Sequence, residues 1–242
     1  MSRSHLEYLK YWYEQPLGIA FKQMQQAQID AISNRFRGQR MLQLGVYSGL
    51  DCQLVAPTIY SVSAATDVEL KFSGPFVATS YQALPFLSDS IDIVFIHYVL
   101  EFESNLVLIF EEIWRVLAAG GQVVVMGFNA LSLWGLVHLF KRKQIPWSGH
   151  FYTAFQIQSI LAKVGFAVAL NKTFFFRPPV QNAALLKWLN GFEKCGELLF
   201  SPFGAGYLLL GEKSVLGTTP LRSRWEFSEL LADKAIKPVA RV

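Results

Sequence analysis

Apolar positions along this chain follow two rhythms, and the change from one to the other marks out its elements. From Ile91 to Ile96 the run is apolar and broken only by Asp92, the pattern of a strand buried on both faces of a parallel sheet. Leu106, Ile109, Phe110, Ile113 and Leu117 then recur at spacings of three and four, which predicts an amphipathic helix with Glu111, Glu112 and Arg115 on its wet side. Gly120 and Gly121 are expected to stop that helix, and Gln122 to Met126 reads as a second buried strand. The helix is then the crossover of a right-handed βαβ unit.

The same rhythms extend both ways. Leu17, Phe21, Met24, Ile29 and Ile32 mark a helix after Pro16, and Arg40 to Leu44, Thr58 to Ser63 and Phe76 to Thr79 read as three strands. A very apolar helix is predicted from Leu131 to Phe140, then an aromatic loop, then a helix capped by Thr153 and ending near Gly165. Phe166 to Phe176 and Ala205 to Glu212 are predicted late strands, separated by a helical insertion around Ala183 to Leu199. This order predicts an α/β fold, a doubly wound Rossmann-like seven-stranded sheet, mostly parallel with an antiparallel edge pair. Residues 1–39 are expected to form a helical cap and 40–213 the main domain, with insertions around 130–152 and 180–200 and a basic, weakly ordered tail at 214–242. Ligands of such sheets bind at the carboxyl ends of the strands, which singles out Gly45 to Gly49, Ser63 to Asp67 and His97 to Glu101.

Composition narrows the classes. With 52% hydrophobic and 17% charged residues in 242, the chain has material for a large core. A net charge of +4 permits a polyanion partner without requiring one, and no aromatic-basic stripe suggests nucleic acid. Cys52 and Cys195 lack ligand spacing, and His5, His138 and His150 are scattered, so neither a disulfide framework nor a metal site is expected. The opening MSRSHLEYLKYWYEQ lacks the apolar run of a signal peptide, and a cytoplasmic location is the expectation. The stretch from Val116 to Phe140 is uncharged and precedes Lys141-Arg142-Lys143, but its glycine pair and β-branched run read as strand and core helix rather than a membrane span.

Three segments carry a family resemblance: MLQLGVYSG (Met41 to Gly49), ALPFLSDSIDIVFIHYVLEF (Ala83 to Phe102) and the helix-Gly-Gly-strand after it. Together they resemble class I S-adenosylmethionine-dependent methyltransferases of the ubiquinone-biosynthesis type. GFNALSLWGL, the FRPP of Phe176 to Pro179 and SPFGAGYLL look like a bacterial branch of that superfamily. The resemblance implies S-adenosylmethionine as cofactor, held by Gln43, Gly45, Tyr47, Gly49, Asp67, Ser80, Tyr81, Gln82 and His97, with His97 also the candidate general base. Departures are visible: Gln43 and Tyr47 stand where the family pattern has an acid and a glycine, Ser63-Ala64-Ala65 where it has a ribose-binding acid, and Ser80 where an Asp would meet adenine. Glu101 is expected to be structural, and Asp92 to cap or pair within the fold.

The expected function is methyl transfer to an apolar small-molecule acceptor, with the helix around Leu131 to Phe140 and Trp147, Phe151 and Tyr152 on the substrate side. Peripheral membrane contact through that segment is a further expected partner, and a core helix packed under the insertion the plainer reading. The alternative is a degenerate fold serving as a ligand-binding or interaction module.

Overall fold

The structure is a computed structural model and describes residues 11–45, 60–65, 75–141, 149–189, 191 and 193–214. Its seven strands are β1 (Arg40–Leu44), β2 (Tyr60–Ala65), β3 (Phe76–Ala78), β4 (Ile91–His97), β5 (Leu117–Phe128), β6 (Phe166–Phe174) and β7 (Gly206–Lys213). They form one sheet in the order β3-β2-β1-β4-β5-β7-β6. The first five pair in parallel, and β7 runs antiparallel between β5 and β6, as the sequence pattern predicts.

Helices cover both faces. Helix α1 (Pro16–Ile32) buries Leu17, Phe21, Ile29 and Ile32 on the face that also carries Met41, Ile93, Phe95 and Val124. Helix α2 (Leu106–Val116) turns Leu106, Ile109, Phe110, Ile113 and Val116 onto the other face, against Leu42, Val94 and Val123. Alternate strand residues point to opposite faces, so each central strand must be apolar throughout. Helix α4 (Ala154–Val164) lies beside α2 and starts at a capping box in which Thr153 and Gln156 bond reciprocally. It ends at Gly165, whose φ of 116° a side chain would oppose.

Several boundaries differ from expectation, β6 ending at Phe174 rather than Phe176 among them. Gly120 and Gly121 do not stop α2, because the chain turns extended at Leu117, whose buried side chain takes the first rung of β5 opposite Ile91. The glycines lie in a bulge where pairing jumps from Ile91↔Leu117 to Ile93↔Gln122, and Gly120 has a φ of 74°. Thr58 and Ile59 lie outside the described residues, and strand β2 runs past Ser63 to Ala65, since Ser63, Ala64 and Ala65 pair with β1 or β3. They are therefore strand residues rather than a loop.

Helix α3 (Leu133–Lys141) departs from the core-helix expectation. Trp134 is fully buried and donates its indole N–H to the Arg177 carbonyl at 2.9 Å, but Leu133, Leu136, Leu139 and Phe140 face outward. The insertion forms α5 (Ala183–Leu189) and α6 (Glu193–Leu199). Arg177 fixes them by pairing with Glu193 at 2.7 Å and donating to the Leu186 carbonyl at 3.1 Å. No described helix is long and apolar enough to cross a membrane.

Candidate active site

The carboxyl ends of β1, β2, β3 and β4 share one edge of the sheet, and strand order reverses between β1 and β4. Gly45 leaves β1 with a φ of 77° and donates its N–H to the Ala64 carbonyl at 3.2 Å. A Cβ there would lie 2.0 Å from Val99 Cγ2 and 2.9 Å from the His97 carbonyl oxygen. Glycine is thus required by packing within the chain, whatever ligand approaches. Gln43 is half-buried in β1. Ser80 and Gln82 are exposed beyond β3 in a short turn, while Tyr81 between them is buried against the α2 face. Tyr47, Gly49 and Asp67 lie outside the described residues.

His97 ends β4, but its imidazole is buried on the α1 side. It stacks at 5.9 Å on Phe95 and meets Tyr98 edge-on at 4.7 Å. Burial, assisted by Lys22, pushes its pKa down to about 3. A base so weakened accepts a proton at a cost of about 5 kcal/mol relative to an ordinary histidine. Burial among aromatic rings thus makes His97 a weaker base than an exposed histidine. Tyr98, which follows, has a φ of 51°, rare for a side chain of its size, and its hydroxyl accepts from Gln25 at 2.6 Å.

Glu101 was expected to be structural, and its environment is unusual. One carboxyl oxygen accepts the Phe128 N–H at 2.8 Å, whereas Oε2 is buried and has no partner among the described residues. Burial lifts its pKa to about 7, opposed by that N–H. The Tyr207 hydroxyl is likewise buried and unpartnered, and a Cβ on Gly127 would fall 2.3 Å from it and 2.8 Å from Glu101 Oε1. The two groups thus share one buried polar pocket, across strands that sequence reading could not bring together. Asp92, by contrast, does what was expected of it: it pairs with Arg40 at 2.7 Å, and that contact holds its pKa down to about 2.

Beside this edge, beyond β5, lies an apolar cavity of about 800 Å³. The three segments outside the shared core build it. Asn129, from GFNALSLW, donates its amide to the carbonyls of Pro202 and Gly204 at 2.8 Å each, tying β5 to SPFGAG. Ala205 in turn donates its N–H to the Phe175 carbonyl at 2.9 Å, joining the FRPP segment. Leu131, Leu136, Phe151, Phe176, Phe200 and Phe203 are among the walls, and His138 and His150 add imidazoles. An aromatic chain links cavity to strand edge: His138 stacks on Phe151 at 4.3 Å, Phe151 on Phe128 at 5.0 Å, and Phe128 meets Tyr98 at 4.4 Å.

Comparison with known proteins fits this geometry. Residues 42–125 match the family model described as a methyltransferase domain. An uncharacterised protein of Mycobacterium tuberculosis is 27% identical over 175 residues, covering 69% of this chain and 60% of its own length. The uncharacterised Escherichia coli protein YafS is 25% identical over 170 residues, covering 69% of each. Among solved structures, a Thermotoga maritima S-adenosylmethionine-dependent methyltransferase superposes with a TM-score of 0.60 at 15% identity, over 80% of this chain and 91% of that one. An Archaeoglobus fulgidus methyltransferase gives 0.57 at 17%, over 79% and 94%. The cyclase SpnF gives 0.55 at 16%, over 78% and 81%. Residues 42–125 are therefore similar to a methyltransferase domain, and the chain has the fold of these S-adenosylmethionine-dependent methyltransferase structures.

Proposed function

We propose that this protein is an S-adenosylmethionine-dependent methyltransferase whose acceptor is an apolar small molecule. The observation that carries the reading is the apolar cavity beside the carboxyl edge of the parallel strands, joined to it through Phe151, Phe128 and Tyr98. Its size and lining suit one drug-sized ligand.

The strand edge offers features that a bound cofactor would use. Gly45 makes the sharp exit from β1, and the exposed Ser80 and Gln82 offer a hydroxyl and an amide where adenine would be read. Gln43 supplies a neutral hydrogen-bonding group where a carboxylate is usual, which weakens each such contact by about 1 kcal/mol. Tyr47, Gly49 and Asp67 complete the proposed set by sequence position. Bound there, the cofactor supplies an electrophilic methyl on a sulfonium. The chain contributes position: aromatic walls orient the acceptor and exclude water, and alignment alone can supply roughly 7–11 kcal/mol. Because burial lowers the basicity of His97, it is a weak base toward the acceptor's proton.

Incubation with methyl-tritiated S-adenosylmethionine and a panel of apolar phenols, quinols and fatty acids tests the reading. Label in the organic phase supports it. No transfer to any member, with S-adenosylhomocysteine still bound, would favour the ligand-binding alternative, which the missing acids at Gln43 and Ser63-Ala64-Ala65 recommend.

A further inference from the structure

The outward face of α3 is apolar without interruption. Leu133, Leu136, Leu139 and Phe140 are 54%, 53%, 56% and 83% exposed, although the opposite side of the same helix already gives Trp134 and His138 to the core. Phe200 and Phe203, on the cavity wall formed by the insertion, are also about half exposed. Such a concentration of large apolar side chains around one opening marks an interaction surface.

Charge indicates what it meets. No carboxylate is among the described residues lining the cavity, and the two acids of the neighbouring α6 are engaged, Glu193 by Arg177 and Glu197 by Lys172. Helix α3 ends on Lys141, and the sequence continues with Arg142 and Lys143. We infer that this face docks on the surface of an anionic lipid bilayer, with α3 lying in the interface and the cavity opening toward the acyl chains, so that a lipid-borne acceptor enters sideways. An apolar helix face followed by basic residues is the combination that interfacial binding uses. At nine residues α3 cannot span, so the contact is peripheral.

Another occupant fits less well. A second copy seated by twofold symmetry would bring two basic runs into one interface.

Docking needs no cofactor, so its test is separate from methyl transfer. The full chain is sedimented with vesicles of phosphatidylcholine alone or mixed equally with phosphatidylglycerol. Binding to the mixed vesicles is expected to be stronger and to fall with salt. Leu136→Asp/Leu139→Asp should lower it at least about tenfold, as should the gentler Leu136→Ser/Leu139→Ser, with thermal unfolding near wild type because both sites are exposed. Unchanged binding in either folded variant, or no binding by the wild type, overturns the inference. So does a wild-type dimer that the same substitutions dissociate, which would assign the face to a second copy.

Discussion

Glu101→Gln is the substitution whose effect the structure specifies most fully. The wild-type carboxyl has a folded pKa of about 7 against an ordinary 4.5, raised chiefly by burial. A pKa raised on folding contributes stability that is fully present below the unfolded value and lost as pH rises through the folded one. The loss therefore falls between about pH 4.5 and pH 7, and 2.5 units correspond to about 3 kcal/mol in total. Between pH 5 and pH 8 the wild type should lose about 2 to 3 kcal/mol more than Glu101→Gln, which keeps the shape and an oxygen for the Phe128 N–H but cannot ionise. Other groups titrate equally in both proteins and cancel in the difference. For a chain of this size that is roughly 5–10 °C in Tm, read by urea or thermal unfolding at matched pH values. Parallel pH profiles would refute the reasoning, since they would mean that Glu101 ionises normally in the folded protein.

Other outcomes follow from the same contacts. His97→Gln should lessen the stability lost on acidification between about pH 6.5 and pH 3, because a histidine pKa depressed on folding withdraws stability as pH falls; unfolding of both proteins at pH 4 and pH 7 checks this. Gly45→Ala should destabilise by more than about 1 kcal/mol, with part recovered in Gly45→Ala/Val99→Ala, since the added Cβ meets Val99 first. Lys213→Met should cost more than Asp89→Ala in urea unfolding, by about 1 kcal/mol or more, because the ammonium also satisfies two main-chain carbonyls while Asp89 is largely exposed.

Local pattern and spacing were enough to read the sheet. Arg40 to Leu44 is a strand at the residues its apolar run indicates, and Thr153 caps α4 because the hydroxyl and Gln156 are three residues apart. The misplaced helix end shows the limit: Gly120-Gly121 signals a break in either element, and only the pairing of Leu117 with Ile91 reveals which. The site was less legible because its properties are set by burial. His97 stands at the strand end as expected, but its burial depends on α1, distant in sequence, as well as on the adjacent Tyr98. Glu101 and Tyr207 meet only because β7 returns antiparallel beside β5, and neither residue carries a local signal of that contact. The outward face of α3 was equally hidden, since an apolar helix reads alike whether one side or both is covered.

The account rests on the carboxyl edge of β1 to β4 binding the methyl donor, and calorimetric titration of the full chain with S-adenosylhomocysteine tests this most directly. The account predicts saturable binding, accompanied at about 100 times Kd by a stabilisation of about 2.7 kcal/mol. Absence of both heat and thermal shift at millimolar ligand would contradict it.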